Sequence, residues 1–199
     1  MENLERIGIM GGAFDPVHFG HLQLARTAFE KLVLNKVLFM PSKRSPLKMF
    51  SPTAPDKDRL QMLKLALKNA PFKSEICEYE ILSEKTPSYS IDTARFLKNQ
   101  YPSAKFFWII GQDQYRQLDR WYKIKELCKI VSFAVFERKG YTTAENTALN
   151  GIAAIEKVQW NAIQISSTQI REKIKNLQPL NLELPQEVIS YIESRKLYK

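Results

Sequence analysis

The chain's only two histidines lie close together in Gly11-Gly12-Ala13-Phe14-Asp15-Pro16-Val17-His18-Phe19-Gly20-His21. Three chemistries fit such a pair. A buried turn with two satisfied imidazoles accounts for the histidines but asks nothing of the glycines. A zinc site fits less well, because Asp15 is the only local third ligand and no further histidine exists to complete it. Phosphate binding uses every part of the segment. Gly11 and Gly12 let backbone approach a ligand closely, Pro16 stiffens the turn, and Gly20 allows tight packing where a helix begins. A helix start offers unpaired N–H groups and a positive dipole end to an anion. Imidazole N–H groups can donate to polyphosphate oxygens and to the charge that develops on a leaving pyrophosphate.

A second anion cradle is written into Ile165-Ser166-Ser167-Thr168-Gln169-Ile170-Arg171. Ser166 with Gln169 fits the S-x-x-Q capping box, so a structural cap explains part of it. Arg171, one turn into the helix behind three hydroxyl residues, suits polyphosphate recognition. Gly111-Gln112-Asp113 follows a strongly apolar run, where a carboxylate at a strand end accepts hydrogen bonds from ribose hydroxyls or simply caps a turn. Trp121 and Tyr122 are core aromatics by default, or a stacking face for a heterocycle. Lys43, Arg44 and Lys48 read either as a solvated loop or as a lid closing over phosphates.

Elements of a doubly wound α/β fold are expected to position these groups. The pattern predicts strands at Ile7 to Met10, Lys36 to Met40, Lys105 to Ile110, Ile130 to Phe136 and Ala162 to Ile165, with a weaker one over residues 75 to 82. Helices are predicted from Gly20 onward, after Pro55 with Leu60, Leu63 and Leu67 as its apolar stripe, and over Ser90 to Asn99, Ser166 to Lys175 and Pro185 to Arg195. Alternating strands and helices imply a Rossmann-like, doubly wound parallel sheet in a single domain over residues 1–199. Its ligands should bind beyond the carboxyl ends of the strands.

Composition narrows the classes. With 199 residues, 44% hydrophobic and 26% charged, the chain suits one well-cored domain and excludes extensive disorder. Apolar runs such as Phe106 to Ile110 are far below the roughly 20 residues of a membrane span. The N-terminal Met1 to Arg6 lacks a secretion signal, so a cytoplasmic location is expected. Cys77 and Cys128 read as two buried or half-buried thiols without a disulfide or zinc framework. The net charge of +9 favours anionic partners without choosing among nucleotides, phosphates and RNA.

Taken together, the motifs resemble the bacterial nicotinate-nucleotide adenylyltransferase family of the His-x-Gly-His nucleotidyltransferases. The resemblance spans Gly11 to His21, Arg59 with Met62-Leu63 and Ala66, Pro87 to Ser90 with Thr93, Gly111 to Asp113 with Trp121-Tyr122, Ile165 to Arg171, and the ending Tyr191-Ile192 with Leu197-Tyr198. It implies adenylyl transfer from ATP to nicotinate mononucleotide. His18, His21 and Arg171 are then catalytic. ATP would be bound by these three with Gly11, Gly12, Phe14, Gly111, Asp113, Ile165, Ser166 and Ser167. Nicotinate mononucleotide would meet Lys43, Lys48 and Trp121, with backbone N–H groups around Thr86 and Tyr115 on its carboxylate. Mg²⁺ would be held mainly by the ATP phosphates, with no assigned protein ligand. No nucleic-acid or membrane partner is implied, and oligomeric state is not encoded. Pantetheine-phosphate adenylyltransferase shares the first motif, and a non-catalytic nucleotide- or RNA-binding module shares the charge. One departure is that Ser45-Pro46-Leu47-Lys48 stands where family members often carry Pro-Pro-His-Lys, so a histidine contact is missing from the loop.

Overall fold

Six parallel strands in the order β3-β2-β1-β4-β5-β6 form the centre of the computed structural model, which describes residues 4–44, 51–84, 86–138, 146–180 and 183–199. The strands are β1 (Arg6–Gly12), β2 (Lys36–Pro41), β3 (Ser74–Ile76), β4 (Lys105–Gly111), β5 (Val131–Arg138) and β6 (Ile155–Trp160). The helices are α1 (Phe19–Lys31), α2 (Asp56–Leu67), α3 (Tyr79–Leu82), α4 (Ser90–Gln100), α5 (Gln112–Tyr115), α6 (Ile124–Leu127), α7 (Ser167–Lys175) and α8 (Gln186–Arg195). The fold is the Rossmann-like α/β architecture that the alternation implied.

Because side chains alternate along a strand, each strand feeds two cores. Met10, Phe39, Phe107, Ile109 and Phe136 pack on one face under α1, α2, α7 and α8. Ile7, Ile9, Leu38, Phe106, Trp108 and Phe133 pack on the other face under α4, α5 and α6. β1 pairs with β2 on one side and β4 on the other. The chain winds outward in opposite directions from these two strands, so a crevice opens between their carboxyl ends. Gly12 and Gly111 end those strands.

Three expectations need correction. Ala162 to Ile165 is not a strand. Its backbone partner is α1, whose Gln23 side-chain oxygen accepts from the Ile163 N–H at 3.1 Å, while the Ile165 N–H bonds Ile163 O at 3.0 Å. The sixth strand is instead Ile155–Trp160, an edge strand whose Glu156 and Lys157 obscured its pattern. Residues 75 to 82 form only a short strand, Ser74–Ile76, and then the helical turn Tyr79–Leu82. In α2 the buried face is Asp58, Arg59, Met62, Leu63 and Ala66, so two charged residues lie inside where a purely leucine stripe was expected. Cys77 and Cys128 are half-buried free thiols, and burial pushes both up.

Candidate active site

The Gly-Gly turn leaves β1 through Phe14, which has a left-handed backbone (φ 48°) and a buried ring, and through a cis Asp15-Pro16 bond. His18 then caps α1. His18 Nδ1 accepts the His21 N–H at 3.3 Å, and His21 Nδ1 accepts the His18 N–H at 3.3 Å. The two histidines thus form a reciprocal capping box, with the rings stacked at 3.7 Å between centroids. Since both Nδ1 atoms accept, the neutral rings carry their protons on Nε2, and each is an N–H donor at that edge. Burial pushes His18 down from its ordinary 6.5 to about 4, so it is neutral at physiological pH.

Close packing fixes this arrangement. A Cβ on Gly20 would lie 3.0 Å from His18 Nδ1, so the ring rests on the glycine. The Phe14 ring meets His21 edge-on at 5.1 Å and Phe39 at 5.7 Å. Phe14 is therefore a buttress for His21 as well as part of the turn. At Gly111 the situation is reversed. A Cβ there would have no described atom within 4 Å, so packing within the chain does not require glycine, whereas a ligand lying against the backbone would.

Ser166 caps α7, accepting the Gln169 N–H at 3.3 Å and donating to Gln169 Oε1 at 3.0 Å. From the same turn, Ser167 Oγ donates to Pro16 O at 3.0 Å. Arg171 donates to Asp15 O at 2.6 Å and to Thr168 Oγ1 at 3.3 Å. The structure therefore brings His18, His21, Ser166, Ser167 and Arg171 together around the end of β1. Asp15 is the hub of that group. Its buried carboxylate accepts from Thr53 N–H, Ala54 N–H and Tyr198 O–H at 2.7, 3.0 and 2.8 Å, and lies 3.7 Å from Arg171 Nη1. Among the described residues no group of three or more His, Cys, Asp or Glu side chains is placed to hold a metal ion.

Across the crevice, Asp113 lies in the first turn of α5 with an exposed carboxylate 3.9 Å from Arg116. Trp121 is half-buried, edge-on to Trp108 at 6.0 Å and to Phe133 at 6.3 Å. Tyr115 is buried in the core, its hydroxyl accepting the Asn146 N–H at 3.2 Å. Its side chain is thereby committed to packing, which leaves only its main chain for a ligand. Lys43 Nζ donates to Ser83 O at 2.9 Å, and the Ser88 N–H bonds Arg44 O at 3.1 Å, so the chain after β2 is tied to Ser83 and to Ser88. Lys48 lies outside the described residues. Thr86 and the cis-bonded Pro87 border an open cleft of about 590 Å³ with Tyr89, Tyr122, Asp92 and Arg95.

Several positioning residues carried no role in the sequence reading. Arg59 is fully buried and donates to Ala13 O and to Asp56 at 2.6 Å, tying α2 to the Gly-Gly turn. Glu80 is buried and accepts from Thr93 Oγ1 at 2.5 Å beneath the 86–89 turn, and burial pushes its carboxyl up. The i, i+3 spacing of a capping box was the available signal for the histidine pair, hidden because histidine is not a usual capping residue. No local signal announced the Tyr198 contact.

Comparison with known proteins follows the same lines. The family model described as cytidylyltransferase-like matches residues 9–173. The probable nicotinate-nucleotide adenylyltransferase of Methylacidiphilum infernorum (isolate V4) is 42% identical, the match covering 97% of this chain and 92% of the relative. The nicotinate-nucleotide adenylyltransferase of Bacillus subtilis (strain 168) is 36% identical across 98% of this chain and 100% of its own. Among solved structures, Plasmodium falciparum nicotinic acid mononucleotide adenylyltransferase complexed with NaAD superposes with a TM-score of 0.79 at 18% identity. That match covers 98% of this chain and 97% of the other, and shows a shared fold.

Proposed function

Because the chain belongs to the cytidylyltransferase-like family and, within it, to the nicotinate-nucleotide adenylyltransferases, we infer that it transfers the adenylyl group of ATP to nicotinate mononucleotide. The products are deamido-NAD and pyrophosphate, a step of NAD biosynthesis. The observation that carries this reading is the histidine capping box beside Arg171 at the end of β1, a set of fixed donors at the switch point of the sheet.

In this reaction a phosphate oxygen of the mononucleotide attacks the α-phosphorus of ATP, and the bond from that phosphorus to the pyrophosphate oxygen breaks. No protein nucleophile is needed, so catalysis rests on alignment and on electrostatic stabilisation. His18 and His21 donate from Nε2 to the phosphates, Arg171 adds a fixed positive charge, and Ser166 and Ser167 with the N-terminus of α7 extend the cradle. Gly11 and Gly12 with the Phe14 main chain allow close approach. Gly111 and Asp113 serve the adenosine ribose, and Ile165 lines the nucleotide beside α1. No protein side chain is assigned to Mg²⁺, which would be bound mainly through the nucleotide's phosphates and, when bound, would offset negative charge on the pyrophosphate. On the acceptor side, Trp121 supplies the stacking face, Lys43 and Lys48 serve the phosphate, and main-chain donors around Thr86 and Tyr115 take the pyridine carboxylate.

The test is pyrophosphate release with ATP and a panel of nicotinate mononucleotide, nicotinamide mononucleotide and phosphopantetheine. The acid should exceed its amide by roughly 10²-fold or more in kcat/KM, because N–H donors accept a carboxylate but meet the amide NH₂ donor to donor. Turnover with phosphopantetheine instead would reassign the acceptor. ATP binding without turnover on any acceptor would make the chain a nucleotide-binding module.

A further inference from the structure

Residues 196–198, beyond α8, return to the Gly-Gly turn. Lys196, the left-handed C-cap of α8 (φ 51°), ends that helix, and Tyr198 is left-handed as well (φ 65°). Leu197 and Tyr198 pack on the core beneath α1 and α2, and Tyr198 donates its hydroxyl proton to Asp15 Oδ1 at 2.8 Å.

The donors around that carboxylate explain why the contact matters. An ionised carboxylate has about four acceptor sites. Three are filled by Thr53 N–H, Ala54 N–H and Tyr198 O–H. Arg171 Nη1 stands 3.7 Å from Oδ2, near enough to offset the buried charge and too far for a hydrogen bond. Its N–H goes instead to the Asp15 carbonyl at 2.6 Å. The guanidinium is thus held beside the carboxylate without being captured by it. Without the Tyr198 hydroxyl, Oδ1 would keep an unfilled site on a buried anion, a costly state. Arg171, 3.7 Å from the other oxygen Oδ2, is the cation paired with this carboxylate, and the charge shared by both oxygens would draw it in. Its side chain would close onto the carboxylate and withdraw from the crevice.

We propose that Tyr198 is a positioning residue of the ATP-phosphate subsite, acting through Asp15 to keep the Arg171 guanidinium available to the nucleotide. The proposal rests on the assignment of Arg171 to ATP. It assigns no role to Tyr198 toward the acceptor.

The test compares Tyr198→Phe, which keeps the ring and removes the hydroxyl, with the parent and with Arg171→Ala. ATP affinity is read by calorimetric titration without acceptor, and both KM values from steady-state turnover. Tyr198→Phe should raise the ATP Kd and KM about 10-fold and leave the mononucleotide KM within about two-fold, as loss of one hydrogen bond to a charged group would. In the Arg171→Ala background the same substitution should change ATP affinity less than about two-fold, because the effect runs through that arginine. Unchanged ATP affinity in Tyr198→Phe would overturn the proposal. So would factors that multiply in the double variant, or equal increases in both KM values, either of which marks a general structural role. Since the titration needs no acceptor, normal ATP binding without dinucleotide product would refute the acceptor assignment and leave this test standing.

Discussion

The two walls of the crevice are built on different principles. On the β1 side, polar groups are locked to one another before any ligand arrives. Asp15 accepts three hydrogen bonds from two distant chain segments, Arg59 and Arg171 hold carbonyls of the turn, and the histidines cap one helix reciprocally. On the α4–α6 side, shape comes from aromatic packing, with Trp121 set edge-on to Trp108 and Phe133, and Tyr89 beside Tyr122 at 4.6 Å. Donors that stabilise transition-state charge are effective only if they need no reorganisation when the charge appears. A wall that recognises a ring needs a surface of the right shape and a few placed donors. Substitutions on the first wall should therefore act on turnover, and those on the second on acceptor binding.

The largest effect should come from His18→Ala and His21→Ala. Each should lower kcat by roughly 10²-fold or more, since one preorganised donor to developing charge is worth about that much. Near-normal turnover in both folded variants would reduce the pair to a helix cap and erase the contrast between the walls. Next, Trp121→Ala should raise the mononucleotide KM about 10-fold for acid and amide alike, while the ATP KM stays put. A fall in kcat alone would move Trp121 to the catalytic wall. Thr86→Ala should matter little, because the discrimination is assigned to main-chain groups.

Arg171→Lys should weaken ATP use at least several-fold, as an ammonium cannot hold Asp15 O, Thr168 and a phosphate with one planar group. Parent-like kinetics at limiting ATP would demote α7 to a capped helix. A smaller effect is expected at Thr93→Val, which removes the hydroxyl donor to buried Glu80 and should cost roughly 1–2 kcal/mol in denaturant unfolding. The smallest signature is in pH. His18 is depressed by burial from 6.5 to about 4. Between those values the unfolded chain binds the extra proton, so stability from this residue is present above 6.5 and is lost as pH falls toward 4. By NMR, His18 should stay an Nε2–H neutral ring to about pH 4. A midpoint near 6.5 would mean that the ring is solvated and not locked in the cap.

Much of the fold was legible because the signals were local. Buried parallel strands such as Lys105 to Ile110 read as continuous apolar runs, and the Gly-Gly turn and the α7 cap each sit within a dozen residues. β6 was missed because an edge strand with Glu156 and Lys157 needs less apolar surface, and its place was given to Ala162 to Ile165, where the Ile163 N–H bonds the Gln23 side chain of α1 in place of a strand partner. The buried Asp58 and Arg59 were equally invisible as core, since their burial depends on partners such as Tyr191, Arg195 and Ala13, distant in sequence.

The sequence by itself determined the chemical inventory of the phosphate wall and the alternation that makes the sheet, because helix starts, glycine turns and strand periods are set by neighbours along the chain. Only the tertiary structure decided how that inventory is aimed. It made the histidines mutual caps and so fixed their protons on Nε2, committed the Tyr115 side chain to the core, and brought Tyr198 to Asp15 across 183 residues. The physical reason is that a buried polar group must find its partner wherever the fold supplies one, and that choice is made by packing rather than by spacing.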